Sequence, residues 1–487
     1  MSPLASPRAN YSVVAGSDAG APSQRMWGGS ATDGTRLFVF GGRNAPAGAA
    51  GSVYYNGLYA YDTVTSTWAT LSAEGDPNAP SVGFRQSMAY DPAGNRLVIY
   101  GGRTSATGTI LSDCHVFDLA TNLWSQIPNP TPGTTGPLDT DGGKLAYDAT
   151  SGNLVQFGGT DTLGNKLGDT WLLSGTTWTQ VTGLVAGSTA PEPRNIHGMA
   201  SRSAPYNDIV VVGGQINNGA NVNMNDTWRW DGTTSTWSLI TPINSTVPVS
   251  WVSGNELVYD AVREVLVINN GPGTNVAPSN TTNGSTSWVS EYDCVTNEWR
   301  AFAAPANMTN QRTDDPIIGN VQRFFSAFVD GKVLIWSGQN TTTIGDADLS
   351  KIKEYQAAPL ASALPYGSGC GGLTLAAGSN PWGGRDWTLT ASGFSATSLG
   401  AVVISLGQDN SALPAPGMPG CSLLVNSSVV LTTALLVPLA GTASFTAAMP
   451  LVNGLGGLPM NSQAFALDSA TNMVTSSNGI AGKLGAN

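Results

Sequence analysis

Only two histidines and 21 basic side chains, 15 of them arginines, occur in 487 residues, so any place where cations recur is informative. Arginines recur at two kinds of position. Arg25, Arg85 and Arg194 precede apolar strands, as do Arg312 and Arg323 further along, and His197 follows Arg194. Arg43 and Arg103 come directly after Gly-Gly pairs, and Gln215 and Gln339 hold the corresponding places in later copies. A guanidinium is a planar fork of donors that matches carboxylates and sulfates, so a cluster of these groups would select an acidic ligand such as a uronic acid. His197 beside Arg194 would suit a general base. Each residue also has a structural reading. Arg25 and Arg194 close Pro-x-x-Arg elements and would pair with backbone carbonyls or neighbouring acids, while His197 and His115 would serve as strand hydrogen-bonders or packing. Asp139-Thr140-Asp141-Gly142 has the look of a calcium-loop fragment without the remaining ligands, which makes Asp139 and Asp141 the sole metal candidates.

These residues are set in a repeat. An apolar run ends in Gly-Gly at Leu37–Gly42, Leu97–Gly102, Leu154–Gly159 and Ile209–Gly214, with degenerate copies at Val265–Gly271 and Val333–Gly338. A second strand and then a tryptophan follow the first five copies: Trp68, Trp124, Trp178, Trp237 and Trp299, spaced 54 to 62 residues apart. Turn sequences such as Asp91-Pro92-Ala93-Gly94-Asn95 join the strands. Each unit therefore reads as four short strands. A four-stranded sheet cannot bury both faces alone, and radial stacking is the arrangement that buries them against neighbours.

The six copies resemble the Kelch repeat, which also builds the central domain of galactose oxidase. The resemblance covers roughly residues 11 to 357 and implies an all-β fold: a six-bladed Kelch-type β-propeller within residues 1–360. The last copy lacks a tryptophan strand. An N-terminal strand at residues 9–15 is expected to complete blade six and close the ring. In such a ring, the loops entering the innermost strand and those leaving the second strand share one face. That geometry would gather Arg25, Arg43, Arg85, Arg103, Arg194, His197, Gln215, Arg323 and Gln339 around the channel mouth. The resemblance does not fix a function, because Kelch propellers include enzymes, ligand binders and scaffolds.

Residues 361–487 lack the repeat and show short alternating strands, which read as a β-sandwich tail resembling a module of secreted proteins of environmental bacteria. Cys370 and Cys421 lie there and form the favoured disulfide, whereas Cys114 and Cys294 fall in repeats too far apart to bond. With 11% charged residues, a net charge of −11 and no long apolar run, the chain is not expected to bind nucleic acid or insert into a membrane. Its composition suggests a secreted or cell-surface bacterial protein, monomeric and without a cofactor. No charged-then-apolar leader opens the sequence.

The leading functional expectation is a binding protein that recognises an extracellular glycan or protein, anionic if the arginines converge. The alternative is a carbohydrate-active enzyme, a polysaccharide lyase, hydrolase or sugar epimerase, working at the same mouth with His197 and Arg194. A copper radical site is disfavoured because His115 and His197 hold inequivalent repeat positions. Sialidase turns, Gly-x-Ser-x-Gly elbows, P-loops and zincin motifs are absent from the sequence.

Overall fold

The computed structural model describes residues 10–44, 52–217, 221–242, 256–269, 287–295, 297–303, 321–322, 325–337, 339–340, 350–356, 362–378, 381, 386–413, 420–449 and 458–484. The chain divides into two compact units, one spanning Ala9–Tyr355 and the other built on Gln356–Asn487. Among the described residues the sheets are antiparallel, and a 3-10 turn at Ser427–Val429 is capped by the Asn426 side chain. Among the described residues, no helix is long and apolar enough to cross a membrane.

The first unit contains six four-stranded sheets. From inner to outer strand, blade 1 is Gly29–Thr32, Arg36–Phe40, Leu58–Asp62 and Thr67–Ser72. Blade 2 is Ser87–Asp91, Arg96–Tyr100, Cys114–Asp118 and Leu123–Ile127. Blade 3 is Lys144–Asp148, Asn153–Phe157, Thr170–Ser174 and Thr177–Gln180. Blade 4 is Gly198–Arg202, Asp208–Val212, Thr227–Asp231 and Thr236–Ile240. Blade 5 is Leu257–Asp260, Val265–Asn269, Ser287–Asp293 and Glu298–Ala303. Blade 6 is Phe325–Val329, Lys332–Trp336 and Ile352–Gln356, with Asn10–Val13 as its fourth strand. The innermost strands touch in sequence from blade 1 to blade 6, and blade 6 touches blade 1, so the sheets form a closed cycle.

The first hairpin turn of several sheets is tied by side chains. In blade 1 the Asp33 carboxylate accepts the N–H groups of Thr35 and Arg36 and pairs with the Arg36 guanidinium at 2.7 Å. Arg96 with Asp91 and Arg263 with Asp260 repeat the device. The apolar second strands are buried past their first residue, as in Phe38–Phe40 and Ile209–Val212. Their stability therefore depends on what lies against both faces.

The outer-strand tryptophans supply that contact. Trp124 packs on Phe40, Trp178 on Tyr100, Trp237 on Phe157 and Trp68 on Trp336, with ring centroids 4.9 to 5.7 Å apart. In every case the partner is the residue just before the Gly-Gly pair, or its Ser-Gly variant, of the preceding blade. The indole N–H of Trp124 donates to Ser72 Oγ, and that of Trp237 to Thr170 Oγ1. Both glycines of each complete pair then adopt positive φ, +63° and +92° at Gly41 and Gly42, a conformation costly for any residue with a Cβ. This turn aims the Gly42 N–H at Gly83 O of blade 2, the Gly102 N–H at Thr140 O of blade 3 and the Gly159 N–H at Arg194 O of blade 4.

Blades 6 and 1 meet through Ser17, which is completely buried. Its hydroxyl accepts the Ile352 N–H and donates to Val14 O, and its carbonyl accepts the Trp68 indole N–H at 2.9 Å. One residue thus links the N-terminal segment and blade 6 through its side chain and blade 1 through its carbonyl.

The second unit has a five-stranded sheet in the order Ser362–Tyr366, Met473–Lys483, Pro459–Asp468, Ser398–Ser405 and Val430–Leu436. A three-stranded sheet is made of Thr374–Ala377, Asp386–Ser392 and Thr442–Ala448. Both sheets contribute to one core around Trp387, Leu389, Val402, Ile404 and Ile480. Cys370 and Cys421 form a disulfide, while Cys114, buried, and Cys294, half-buried, are free.

Ser17→Ala removes the hydroxyl and leaves a buried Ile352 N–H without a partner. Thermal or denaturant unfolding of the full chain is expected to show a loss of about 1–3 kcal/mol. An unchanged transition would mean that the ring does not depend on this link.

Candidate functional site

The loops entering the innermost strands and those leaving the second strands lie side by side. Backbone bridges join Met26 to Arg43, Phe84 to Arg103, Asp141 to Thr160 and Asn195 to Gln215, one in each of blades 1 to 4. At the tip of each entering loop, one residue bonds to its counterpart in the next blade. The Arg85 N–H donates to Trp27 O, the Gly142 N–H to Arg85 O and the Ile196 N–H to Gly142 O. Trp27, Arg85, Gly142 and Ile196 all have positive φ, so these four tips form one continuous chain around the mouth.

This frame separates the arginines into two groups. Arg25 and Arg194 stand two residues before the tip, and both turn inward. The Arg194 guanidinium is fully buried, pairs with both carboxylate oxygens of Asp226 at 2.6 and 2.7 Å, and donates to Gly213 O and Glu192 O. Arg25 repeats the pattern. It donates to Ser23 O and Gly41 O, pairs with Glu74 at 2.8 Å and lies 4.0 Å over the Tyr55 ring. These saturated, buried guanidiniums correct the expectation that Arg25 and Arg194 present themselves to a ligand.

His197 also requires correction. It is buried against Phe157 and the turn at Gly158, and neither ring nitrogen has a hydrogen-bond partner. Burial, reinforced by the positive charges of Arg194 and Lys144, pushes its pKa well below the ordinary 6.5. A neutral imidazole sealed between blades cannot reach a substrate proton. Gln86 holds the same place in blade 2, which identifies the position as inter-blade packing.

Arg85, at the tip, does face the mouth, and it is joined there by Arg43 and Arg103. The Arg85 guanidinium stacks 3.4 Å from the Trp27 ring centroid and pairs with Asp141 at 3.0 Å. Arg103 reaches the same Asp141 oxygen at 3.4 Å and donates to Ala106 O. Arg43 lies 4.6 Å from the Phe84 ring and 5.5 Å from Trp27, is almost completely buried, and has no carboxylate partner among the described residues. Tyr54 packs on Phe84 and accepts the Ala106 N–H, tying the blade 1 and blade 2 loops together. Lys166, half-buried beside Thr160, has its pKa lowered by burial and then by the Arg85 charge, against the pull of Asp141.

Arg85, Arg103 and Lys166 therefore surround one buried carboxylate, and Arg43 lies alongside against Trp27 and Phe84. Asp141 is committed to two guanidiniums, and no cluster of potential metal ligands occurs among the described residues. Asp139 is half-buried near Tyr100, and Gln215 is half-buried at the blade 4 bridge. Gln339 pairs through its backbone with Gln322, while Arg312 and Arg323 lie outside the described residues. Trp27, Phe84 and Lys166 were not singled out in the sequence. Aligning Trp27 with Arg85, two residues beyond Arg25, is the signal that would have found it. Inward from the mouth, the inner strands enclose a cavity of about 280 Å3, crossed by an ion pair of 2.6 Å between Lys144 of blade 3 and Glu256, which adjoins blade 5.

The buried state of His197 makes a pH prediction. An unfolded histidine takes up its proton near pH 6.5, whereas folded His197 does not, so stability is complete above that pH and falls below it. His197→Gln should remove most of this loss, up to about 1.4 kcal/mol per pH unit, leaving the smaller slope from His115, whose pKa burial also lowers. Melting curves between pH 5 and 8, together with ligand binding unaffected by the substitution, would check it. Persistence of the full slope in the variant would contradict it.

Comparison with known proteins agrees with the repeat. The model of the KLHDC2/KLHL20/DRC7 Kelch-repeats domain matches residues 12–136 and 88–338. Kelch domain-containing protein 10 of Xenopus laevis is 30% identical over 186 residues, 37% of this chain and 41% of that protein. An N-(sulfonatooxy)prop-2-enimidothioate sulfolyase of Thlaspi arvense is 30% identical over 101 residues, 20% of this chain and 27% of the relative. The chain spans less than half the length of such curated relatives. Among solved structures, YjhT is 14% identical with a TM-score of 0.46, covering 69% of this chain and 94% of its own. A fungal alcohol oxidase of the AA5 family, in complex with copper, is 14% identical with a TM-score of 0.44, covering 94% and 85%. With six repeats, their inter-blade tryptophans and a family match across most of the first unit, the chain belongs to the Kelch-repeat family.

Proposed function

We propose that this is a secreted bacterial binding protein that recognises an anionic extracellular glycan through the cationic, aromatic mouth of its propeller. The observation that carries the reading is the site at Arg43, Arg85, Arg103 and Lys166, where cations outnumber the single Asp141 carboxylate in a chain of net charge −11. Guanidiniums match carboxylate or sulfate groups, and the faces of Trp27, Phe84 and Tyr54 offer apolar platforms to sugar rings. A disulfide in the second unit fits an oxidising compartment. We assign recognition to residues 1–360 and attachment to residues 361–487.

The enzyme reading is set aside on the positions of its actors. Its proton-moving candidate, His197, and its carboxylate holder, Arg194, are both consumed by packing between and within blades. The mouth retains groups that bind and orient.

A glycan array followed by calorimetry tests the proposal. Acidic oligosaccharides are expected to bind with an affinity that falls as salt rises, and neutral ones to bind weakly or not at all. Arg85→Gln and Arg103→Gln, whose side chains are partly exposed at the mouth, should each weaken binding about tenfold to a hundredfold, the range for a lost hydrogen bond to a charged group. Equal binding of neutral and acidic sugars, or release of unsaturated or reducing-end products, would overturn the reading.

A further inference from the structure

The five-stranded sheet of the second unit ends in a strand that is unusual in three respects. Val430–Leu436 is the last strand in the sheet order, paired only with Ser398–Ser405, and no other strand covers its outer edge among the described residues. Its alternate residues carry an exposed apolar row. Leu436 is buried, whereas Leu431 and Leu435 are exposed, and Val429, in the 3-10 turn, and Val437 add exposed apolar side chains just beyond the two ends of the strand. Leu435 and Val437 are 86% and 81% exposed. Finally, charge is missing. No Asp, Glu, Lys, Arg or His falls between Asp409 and Asp468.

Natural edge strands are ordinarily blunted by lysine, proline, a bulge or a covering segment, because free N–H and C=O groups template pairing with another chain. This strand contains no lysine or proline, no described strand pairs with its outer edge, and its one such device is the irregularity at the Val430 end, which leaves Thr432–Leu436 regular. A lipid surface does not satisfy it, since an open sheet edge in hydrocarbon leaves backbone groups unbonded. What an open, apolar edge accepts is another strand.

The sequence specifies which one. Val429, Leu431, Thr433, Leu435 and Val437 are symmetric about Thr433. An antiparallel copy paired with Thr433 opposite itself sets Leu431 against Leu435 within the strand, with Val429 and Val437 just beyond its two ends. A shift of two residues in the pairing would leave a leucine opposite a threonine. The same two-fold arrangement makes one patch serve both partners. Two chains of net charge −11 repel, and this uncharged stretch is where repulsion opposes contact least.

We infer that the edge strand Val430–Leu436 pairs with a second copy of itself about Thr433, joining two chains through their tail units. The pairing is independent of ligand recognition at the propeller and would present two mouths from one assembly, which strengthens attachment to a repeating polymer.

Cysteine cross-linking of the full chain tests the register. Opposed α-carbons in antiparallel strands lie about 4.5–5.5 Å apart, within disulfide range, so a cysteine at the two-fold position bonds to its own copy. Under mild oxidation Thr433→Cys is expected to run at twice the mass of one chain on a non-reducing gel. Leu431→Cys and the unsubstituted protein, which retains Cys114 and Cys294, are expected to stay at one. By light scattering the unsubstituted protein should show twice 50.1 kDa at micromolar concentration, and Leu435→Lys should show 50.1 kDa with an unchanged melting temperature. A single-chain mass for the unsubstituted protein would overturn the inference. So would cross-linking of Leu431→Cys as efficient as that of Thr433→Cys.

Discussion

Four of the six junctions of this propeller rest on one repeated contact: an outer-strand tryptophan seated on the residue that precedes the glycine pair, or its Ser-Gly variant, of the blade before it. A four-stranded sheet has two apolar faces and cannot bury either alone. Seating Trp124 on Phe40, or Trp237 on Phe157, buries one face of each neighbour at once. The glycine pair next to that contact turns the chain through two positive-φ residues and brings an amide to the adjoining blade. Packing and hydrogen bonding between blades are therefore set by the same few residues, and a defect in one is transmitted to the other.

The site follows from the same turn. Because the chain leaves each glycine pair beside the loop that enters the same blade, Arg43 and Arg103 are placed next to Phe84 and Asp141 without any dedicated element. The tip residues join blade to blade, so Trp27 and Arg85 are held in contact by the backbone as well as by their stacked side chains. A cationic group backed by aromatic faces is then preorganised, and ligand binding need not order a flexible loop to assemble it.

Much of this was legible in the sequence because it is periodic. The Gly-Gly pairs, the spaced tryptophans and the turn residues each specify a strand or a bend, and together they imply stacked sheets. Less legible was the fate of individual polar residues. Arg25 and Arg194 look like Arg85 when read as residues that precede a strand, yet an offset of two positions sends them into the blades, where Glu74 and Asp226 take up their charge. Those acids come from other strands and loops and have no sequence signal linking them to the arginines. His197 illustrates the same limit. Its neutral, buried state is a property of the gap beside Phe157 and Gly158, which exists only once two blades are in contact.

The central claim is that the mouth residues recognise an acidic ligand while the buried arginines and His197 hold the ring together. Hydrogen–deuterium exchange of the full chain, with and without a bound acidic oligosaccharide, tests it most directly. The account predicts new protection at Met26–Trp27, Gly42–Arg43, Phe84–Arg85 and Gly102–Arg103, with the outer strands and the tail unit unchanged. Protection confined to the outer strands or the tail, with the mouth exchanging as in the free protein, would contradict it.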